Sequence, residues 1–219
     1  MIFPKNLACF VVLLLQLAIA ENGVAGAILP ADPAVMLGLL PATTDEWKLT
    51  ASRGYNELSG QPGLVSVATR DYQQQIPPTA TPAPGAVRVI PATANLTLID
   101  TAHNPEPSRL FPIIRQKESV RPDEKHYEIG GIPVMEETRQ QQRTFIFDLN
   151  SRFLLVVTLT NSTDEITKAW MARLNLPALL EAAKNAGKKP VSNRVLDIAY
   201  VDEFNPKSNR VTQMNLPQD

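Results

Sequence analysis

The chain has 219 residues, with 21 basic and 22 acidic side chains, 44% hydrophobic residues, 19 prolines and a single cysteine. That length fits one domain with extensions or two small ones, with enough apolar residues to bury a core without covalent staples and to set aside wholesale disorder. The near-neutral charge excludes a nucleic-acid binder, because affinity for phosphate rests on a large excess of Lys and Arg.

Residues 1–20 read as a secretory signal peptide: Lys5 precedes the apolar run Leu7 to Ile19, and Ala18-Ile19-Ala20 forms an A-x-A cleavage site. The run is shorter than the roughly 20 residues a spanning helix needs. Cleavage predicts a mature chain starting at Glu21 and removes Cys9, leaving no thiol. Disulfides, Fe-S clusters and thiolate zinc sites are then excluded together. An exported chain without disulfides points to the bacterial periplasm or cell exterior. The acceptor patterns Asn95-Leu96-Thr97 and Asn161-Ser162-Thr163 matter only in a eukaryotic secretory pathway and read as silent.

Residues 21–44 form an apolar leader, in which Asp32-Pro33 is placed like an N-cap and first helical residue. A short helix there docks to a partner or, more simply, covers an edge of the core. From Trp47 the pattern turns to strands, Trp47–Thr50 and Leu64–Tyr72, separated by Gly60, Pro62 and Gly63. The Pro-rich stretch 76–85, with Pro77, Pro78, Pro82 and Pro84, reads as a stiff inter-strand loop. Strands resume at Val87–Ile90 and Asn95–Asp100. The span Gln116–Arg143 holds five basic and six acidic residues and reads as a solvated loop or edge hairpin. Within it Gly130-Gly131 supplies a two-residue turn, and Pro133 is expected to put the second arm at a sheet edge.

The central hairpin is predicted over Thr144–Asp148 and Arg152–Thr160. A helix follows, with a capping box Ser162-x-x-Glu165 and Ile166, Trp170 and Leu174 on one face. Trp170 should therefore face the sheet. Asn175 restarts a second helix through Ala183, ending at Gly187 with Lys184, Lys188 and Lys189 near its negative pole. A last strand spans Arg194–Val201, and residues 205–219 are expected to be a flexible tail. The expected fold class is α+β, an antiparallel sheet packed against one or two C-terminal-half helices, in a single domain over residues 45–204.

No linear motif assigns an activity. There is no G-x-S-x-G elbow, no P-loop and no G-x-G-x-x-G. His103 and His126 read as ordinary exposed loop side chains, and His103-x-x-Glu106 and His126-x-Glu128 lack the helical spacing that aims two imidazoles at one ion. Paired carboxylates for glycoside hydrolysis leave no linear signature; Asp100 and Glu136-Glu137 are the positions to inspect, although a strand-end Asp commonly caps a turn. Lys184, Lys188, Lys189 and Arg194 form a basic cluster that solvation and the helix terminus account for.

The order of Trp47–Thr50, Ala68–Tyr72, Asp100-Thr101, Ile129–Pro133, Arg152-Phe153 and Leu174–Leu176 resembles exported bacterial α+β domains of the Mog1/PsbP-like kind, over about residues 45–183. The resemblance implies an antiparallel sheet against helices and a non-catalytic binding or assembly role. The Pro-rich insertion, the charged span and the strand after residue 190 depart from that pattern. The sequence thus leads to an exported, non-enzymatic envelope protein that binds another envelope or extracellular protein, with no nucleic acid, no transmembrane segment after cleavage, no cofactor, and no catalytic or metal-ligating residue assigned. The alternatives are a glycan-directed hydrolase using paired carboxylates, or a small-molecule carrier with an apolar pocket lined by Phe153 and Trp170.

Overall fold

The computed structural model describes residues 30–58, 64–76, 90–102, 104–119, 121–186 and 195–215. The segment read as a signal peptide, the Pro-rich stretch from residue 77 onward, residues 87–89 of the strand expected at Val87–Ile90, and His103, Gly187, Lys188, Lys189 and Arg194 lie outside them.

In chain order the elements are α1 (Pro33–Leu39), β1 (Trp47–Leu58), β2 (Leu64–Gln74), β3 (Thr93–Asp100), α2 (Pro105–Ser108), α3 (Leu110–Ile114), β4 (Glu124–Ile129), β5 (Ile132–Arg139), β6 (Gln142–Leu149), β7 (Phe153–Thr160), α4 (Asp164–Arg173), α5 (Leu176–Asn185), β8 (Val195–Asp202), a 3-10 turn (Pro206–Ser208) and β9 (Arg210–Asn215). The nine strands form one open antiparallel sheet in the order β4-β5-β6-β7-β3-β2-β1-β8-β9. This corrects the expected α+β class. The described residues are sheet-dominated, and among them no helix exceeds ten residues. The difference has two sources: the charged span folds into β4, β5 and the start of β6, and the tail expected to be flexible adds β9, paired with β8 from Val195↔Asn215 to Tyr200↔Arg210.

Alternation of side chains along each strand divides the core in two. Ala94, Leu96 and Leu98 of β3 with Phe153, Leu155, Val157 and Leu159 of β7 face the larger cluster, which is closed over by Met36 and Leu37 of α1, Trp170 of α4, and Leu179 and Ala183 of α5. On the other face Val67, Ile99, Met135, Ile146 and Leu154 meet Phe111 and Ile114 of α3.

Local chemistry sets the details. Asp32 accepts a hydrogen bond from Ala34 N at 2.8 Å and caps α1 ahead of Pro33. Gly130 and Gly131 both take positive φ, 58° and 77°, the requirement of the tight turn joining β4 to β5. Pro133 does not make β5 an edge, since β5 pairs with both β4 and β6. Its pairing with β6 begins one residue later, at Val134↔Phe147, so the missing N–H falls where no ladder bond is needed. α4 is capped by Thr163, whose hydroxyl accepts from Ile166 N at 3.3 Å, one residue beyond the expected Ser162. Trp170 is fully buried, its ring edge-on to Trp47 of β1 and Tyr72 of β2, each at 4.9 Å.

Candidate functional site: an arginine-bridged groove and its surroundings

A groove of about 680 Å³ opens where the β5–β6 turn approaches the start of α4, lined by Glu136, Thr138, Gln140, Gln141, Arg143, Asn161, Ser162 and Asp164 together with Lys125 and Ile90. The hairpin positions these groups. Arg139↔Gln142 closes β5 onto β6, which projects the Gln140-Gln141 turn and sets Arg143 on the same face as Glu136. Thr163, as N-cap, places Asp164 in the first turn of α4 beside them.

Arg143 spans the groove. Its Nη2 lies 2.8 Å and its Nε 3.2 Å from Glu136 Oε1, while Nη1 lies 2.6 Å from Asp164 Oδ1. Burial pulls the guanidinium down, but the bonds to Glu136 and Asp164 outweigh it and hold Arg143 above its ordinary value. The other Glu136 oxygen accepts from the Tyr127 hydroxyl at 2.9 Å. Burial, reinforced by that carboxylate, drives the Tyr127 phenol well up. Two carboxylates thus face one groove, but a guanidinium sits between them, in the space a scissile bond would have to occupy.

Glu136 and Glu137, adjacent positions singled out for inspection, are turned to opposite faces by the alternation along β5. Glu137 instead accepts from Arg121 Nη2, and from Arg139 Nη2 at 3.0 Å. Arg121 also reaches Glu124 Oε2 at 2.9 Å, and Glu124 lies 2.5 Å from His126 Nε2. His126 is therefore not a loop side chain. It sits on β4 with 2% of its side chain exposed, paired with Glu124 rather than Glu128. Among the described residues no three His, Cys, Asp or Glu side chains are grouped so as to hold a metal ion.

Beyond α3, the same face carries half-buried polar rows. Thr69 bonds Thr97 at 3.3 Å, Thr97 donates to Asn95 at 3.2 Å, and Asn95 donates to Asp71 at 2.5 Å. A second, smaller groove of about 470 Å³ runs over Thr50, Asp71, Gln73, Thr93, Asn95, Thr158 and Thr160.

Asp100 is fully buried and receives Arg152 Nε at 2.5 Å and Nη2 at 2.9 Å. It also caps the following turn through Ala102 N at 2.9 Å and fixes Ala31 N at 2.6 Å. Its role is the turn-capping one. Trp170 and Phe153, the candidate pocket lining, belong to the packed larger cluster. Of the basic cluster, only Lys184 falls among the described residues, in the last turn of α5. Sequence reasoning missed Arg143, Arg152, Arg121 and the burial of Glu124 and His126. The one signal in the chain was the strand alternation that sets Arg143 beside Glu136 and Glu124 in line with His126; Arg121 and Arg152 lie in turns just ahead of β4 and β7, where no periodicity marks them.

No protein-family model, curated protein or solved structure matches the chain. Among the described residues no helix is long and apolar enough to cross a membrane.

Proposed function

We propose that the protein is an exported bacterial envelope component acting as a non-enzymatic binding or assembly module, with loops on a rigid sheet carrying specificity. One observation carries the reading: each carboxylate that the sequence offered for acid–base work is held by an arginine. Asp100 is held by Arg152, Glu136 by Arg143, and Glu137 by Arg121 and Arg139. A catalytic pair needs one carboxyl able to give up a proton to the leaving group and space between the two for the substrate, and these groups are committed to ion pairs instead. Export rests on the signal-like segment, and the Mog1/PsbP-like resemblance agrees with an accessory role. The natural ligand is another envelope or extracellular protein, and the Gln140-Gln141 turn with the Arg143 groove is the surface offered to it.

The test is affinity capture from a bacterial envelope extract with the chain beginning at Glu21, in parallel with Gln140→Ala/Gln141→Ala. Specific recovery of one protein, weakened by the turn variant, supports the reading. Turnover of a polysaccharide by the purified chain, with no protein recovered, overturns it.

A further inference from the structure

The polar part of the sheet face beyond α3 is ordered as a grid. Pairing sets Asp71, Asn95 and Thr158 side by side across β2, β3 and β7, and two residues further along the same strands it sets Gln73, Thr93 and Thr160 side by side. Neighbours within a row stand about 4.8 Å apart and the two rows about 7 Å apart. These six side chains line the groove of about 470 Å³, a volume inside the range of about 300–1,000 Å³ that small-molecule sites occupy.

Two features show that the groove is built rather than left over. Leu49 pairs with Tyr72 and Ala51 with Asp71, so Thr50 is an extra residue in β1, a β-bulge. A bulge re-aims a side chain, and here it brings Thr50 into the lining, with its hydroxyl donating to the Asp71 carbonyl at 3.1 Å. The second feature is a relay: Thr97 donates to Asn95 Oδ1 at 3.2 Å, and Asn95 Nδ2 donates to Asp71 Oδ1 at 2.5 Å. The relay fixes the carboxylate and leaves its Oδ2, without a partner among the described residues, as a pre-aimed acceptor.

The chemistry of the lining selects the ligand. Asp71 is its only charged side chain, so phosphates and carboxylates meet no attracting cation. A lone carboxylate does not hold a metal ion, and among the described residues no cluster does. Hydroxyls and carboxamides both donate and accept, and the side chains of Gln73, Thr93 and Thr160 make no hydrogen bond among the described residues. An extended peptide would need apolar pockets for its alternate side chains, which this lining lacks. A sugar chain carries hydroxyls on every unit, and the threonine methyls meet its C–H faces. One pyranose unit is close to one strand spacing in length, so a chain crossing the strands meets a fresh polar side chain at each unit.

We propose that this groove binds a linear, neutral glycan laid across β1, β2, β3 and β7, and holds it without cleaving it. Cleavage does not follow because the next carboxylate in the row of Asp71 is Glu137, four strands away through Asn95, Thr158 and Thr144. That separation is about 19 Å, beyond the roughly 10 Å at which two carboxyl groups can share a glycosidic bond.

The test is retention of the labelled full chain on an array of neutral, anionic and cationic glycans printed beside unfolded polypeptides, followed by NMR titration with soluble oligosaccharides of the retained class. Neutral linear chains should be retained, with N-acetylated amino-sugar and plain hexose arms separating the two sources of such a chain. Affinity should rise with length to about three or four units, the span of four strands, with shifts confined to those strands and no shortening of the oligosaccharide. Asp71→Ala and the double change Thr93→Val/Thr160→Val should each weaken binding by about tenfold or more. Gln140 and Gln141 line the other groove, so Gln140→Ala/Gln141→Ala should leave glycan binding unchanged, and this inference and the protein-binding reading fail separately. Retention of charged glycans only, of polypeptides only or of nothing overturns the proposal, as does wild-type binding by both groove variants. Should Asp71→Ala fail to fold, the valine pair decides alone.

Discussion

The guanidinium of Arg152 forks onto the carboxylate of Asp100, Nε to Oδ1 at 2.5 Å and Nη2 to Oδ2 at 2.9 Å, with Arg152 3% exposed and Asp100 fully buried. Asp100 ends β3 and Arg152 precedes β7, so the pair ties two neighbouring strands at one end. Through Ala31 N it also anchors the chain entering α1, whose carbonyl accepts from Ser66 Oγ at 2.5 Å. Breaking a buried pair on one side strands a charge, at a cost of about 3–5 kcal/mol. Arg152→Met should lower stability in urea by that much. Asp100→Leu combined with Arg152→Met should cost less than the sum of the two single changes, because no lone charge remains; a strictly additive double variant would contradict this account.

Gly54 is the place where α1 meets the sheet. A Cβ there would lie 2.9 Å from Pro33 Cβ and 3.0 Å from Pro33 O. Gly54→Ala should destabilise by about 1–3 kcal/mol, the usual cost of overpacking. Gly38, inside α1, has nothing within 4 Å of the same position. Gly38→Ala should stabilise by about 0.5–1 kcal/mol through helix propensity. Thermal unfolding of the two variants gives opposite signs if α1 sits on β1 as described.

Tyr72 supplies a pH test. Burial pushes its phenol up to about 12, against the smaller opposing pull of Arg70, and its hydroxyl donates to Pro41 O at 2.5 Å. A group whose value is raised in the folded state binds its proton more tightly there than in the unfolded chain. Its contribution is therefore complete below pH 10 and is lost as pH rises toward 12. Stability measured by denaturant should decline across that window, and Tyr72→Phe should remove part of the decline while costing about 1 kcal/mol at neutral pH.

Arg143 holds Glu136, which is only 6% exposed, and Asp164 at once. Arg143→Ala should cost about 2 kcal/mol, the penalty for a buried carboxylate that loses a charged donor. Arg143→Lys should recover only part of it, since a single ammonium cannot reproduce the fork onto both carboxylates. Equal stability of the Ala and Lys variants would show that the bridge contributes nothing.

The strands around the core were readable because their periodicity is local. Thr144–Thr160 alternates or is densely apolar, Gly130-Gly131 marks a turn, and Ile166, Trp170 and Leu174 share a helix face; the structure places each in the corresponding element. The fold class was misjudged because the charged span was weighed by composition. Glu124, Glu136 and Glu137 read as solvated, yet they are 6–8% exposed, and what permits their burial is arginine partners at distant or non-obvious positions. Arg143 on β6 reaches Asp164 at the start of α4, and Arg152 ahead of β7 reaches Asp100 at the end of β3, pairings between separate elements that no short window along the chain contains. β9 was missed for a related reason: Arg210–Asn215 is polar, and it is a strand through its pairing with β8. The sequence in isolation shows the inward and outward pattern but not which charges will meet.

The sheet holds two meanders, β1-β2-β3 and β4-β5-β6-β7, with the β8–β9 hairpin added on β1, and the meanders meet where β3 lies against β7, from Thr93↔Thr160 to Asp100↔Phe153. Each meander forms from near neighbours, but the seam closes a long stretch of chain and is correspondingly slow. A chain synthesised amino end first would present the bare side of β3, with Leu96 and Leu98 facing water, until Phe153–Thr160 arrived. During that interval it offers a vacant edge to any passing strand, so a holding factor at the exit site, or simply rapid delivery of the remaining chain, decides whether the molecule matures or clumps.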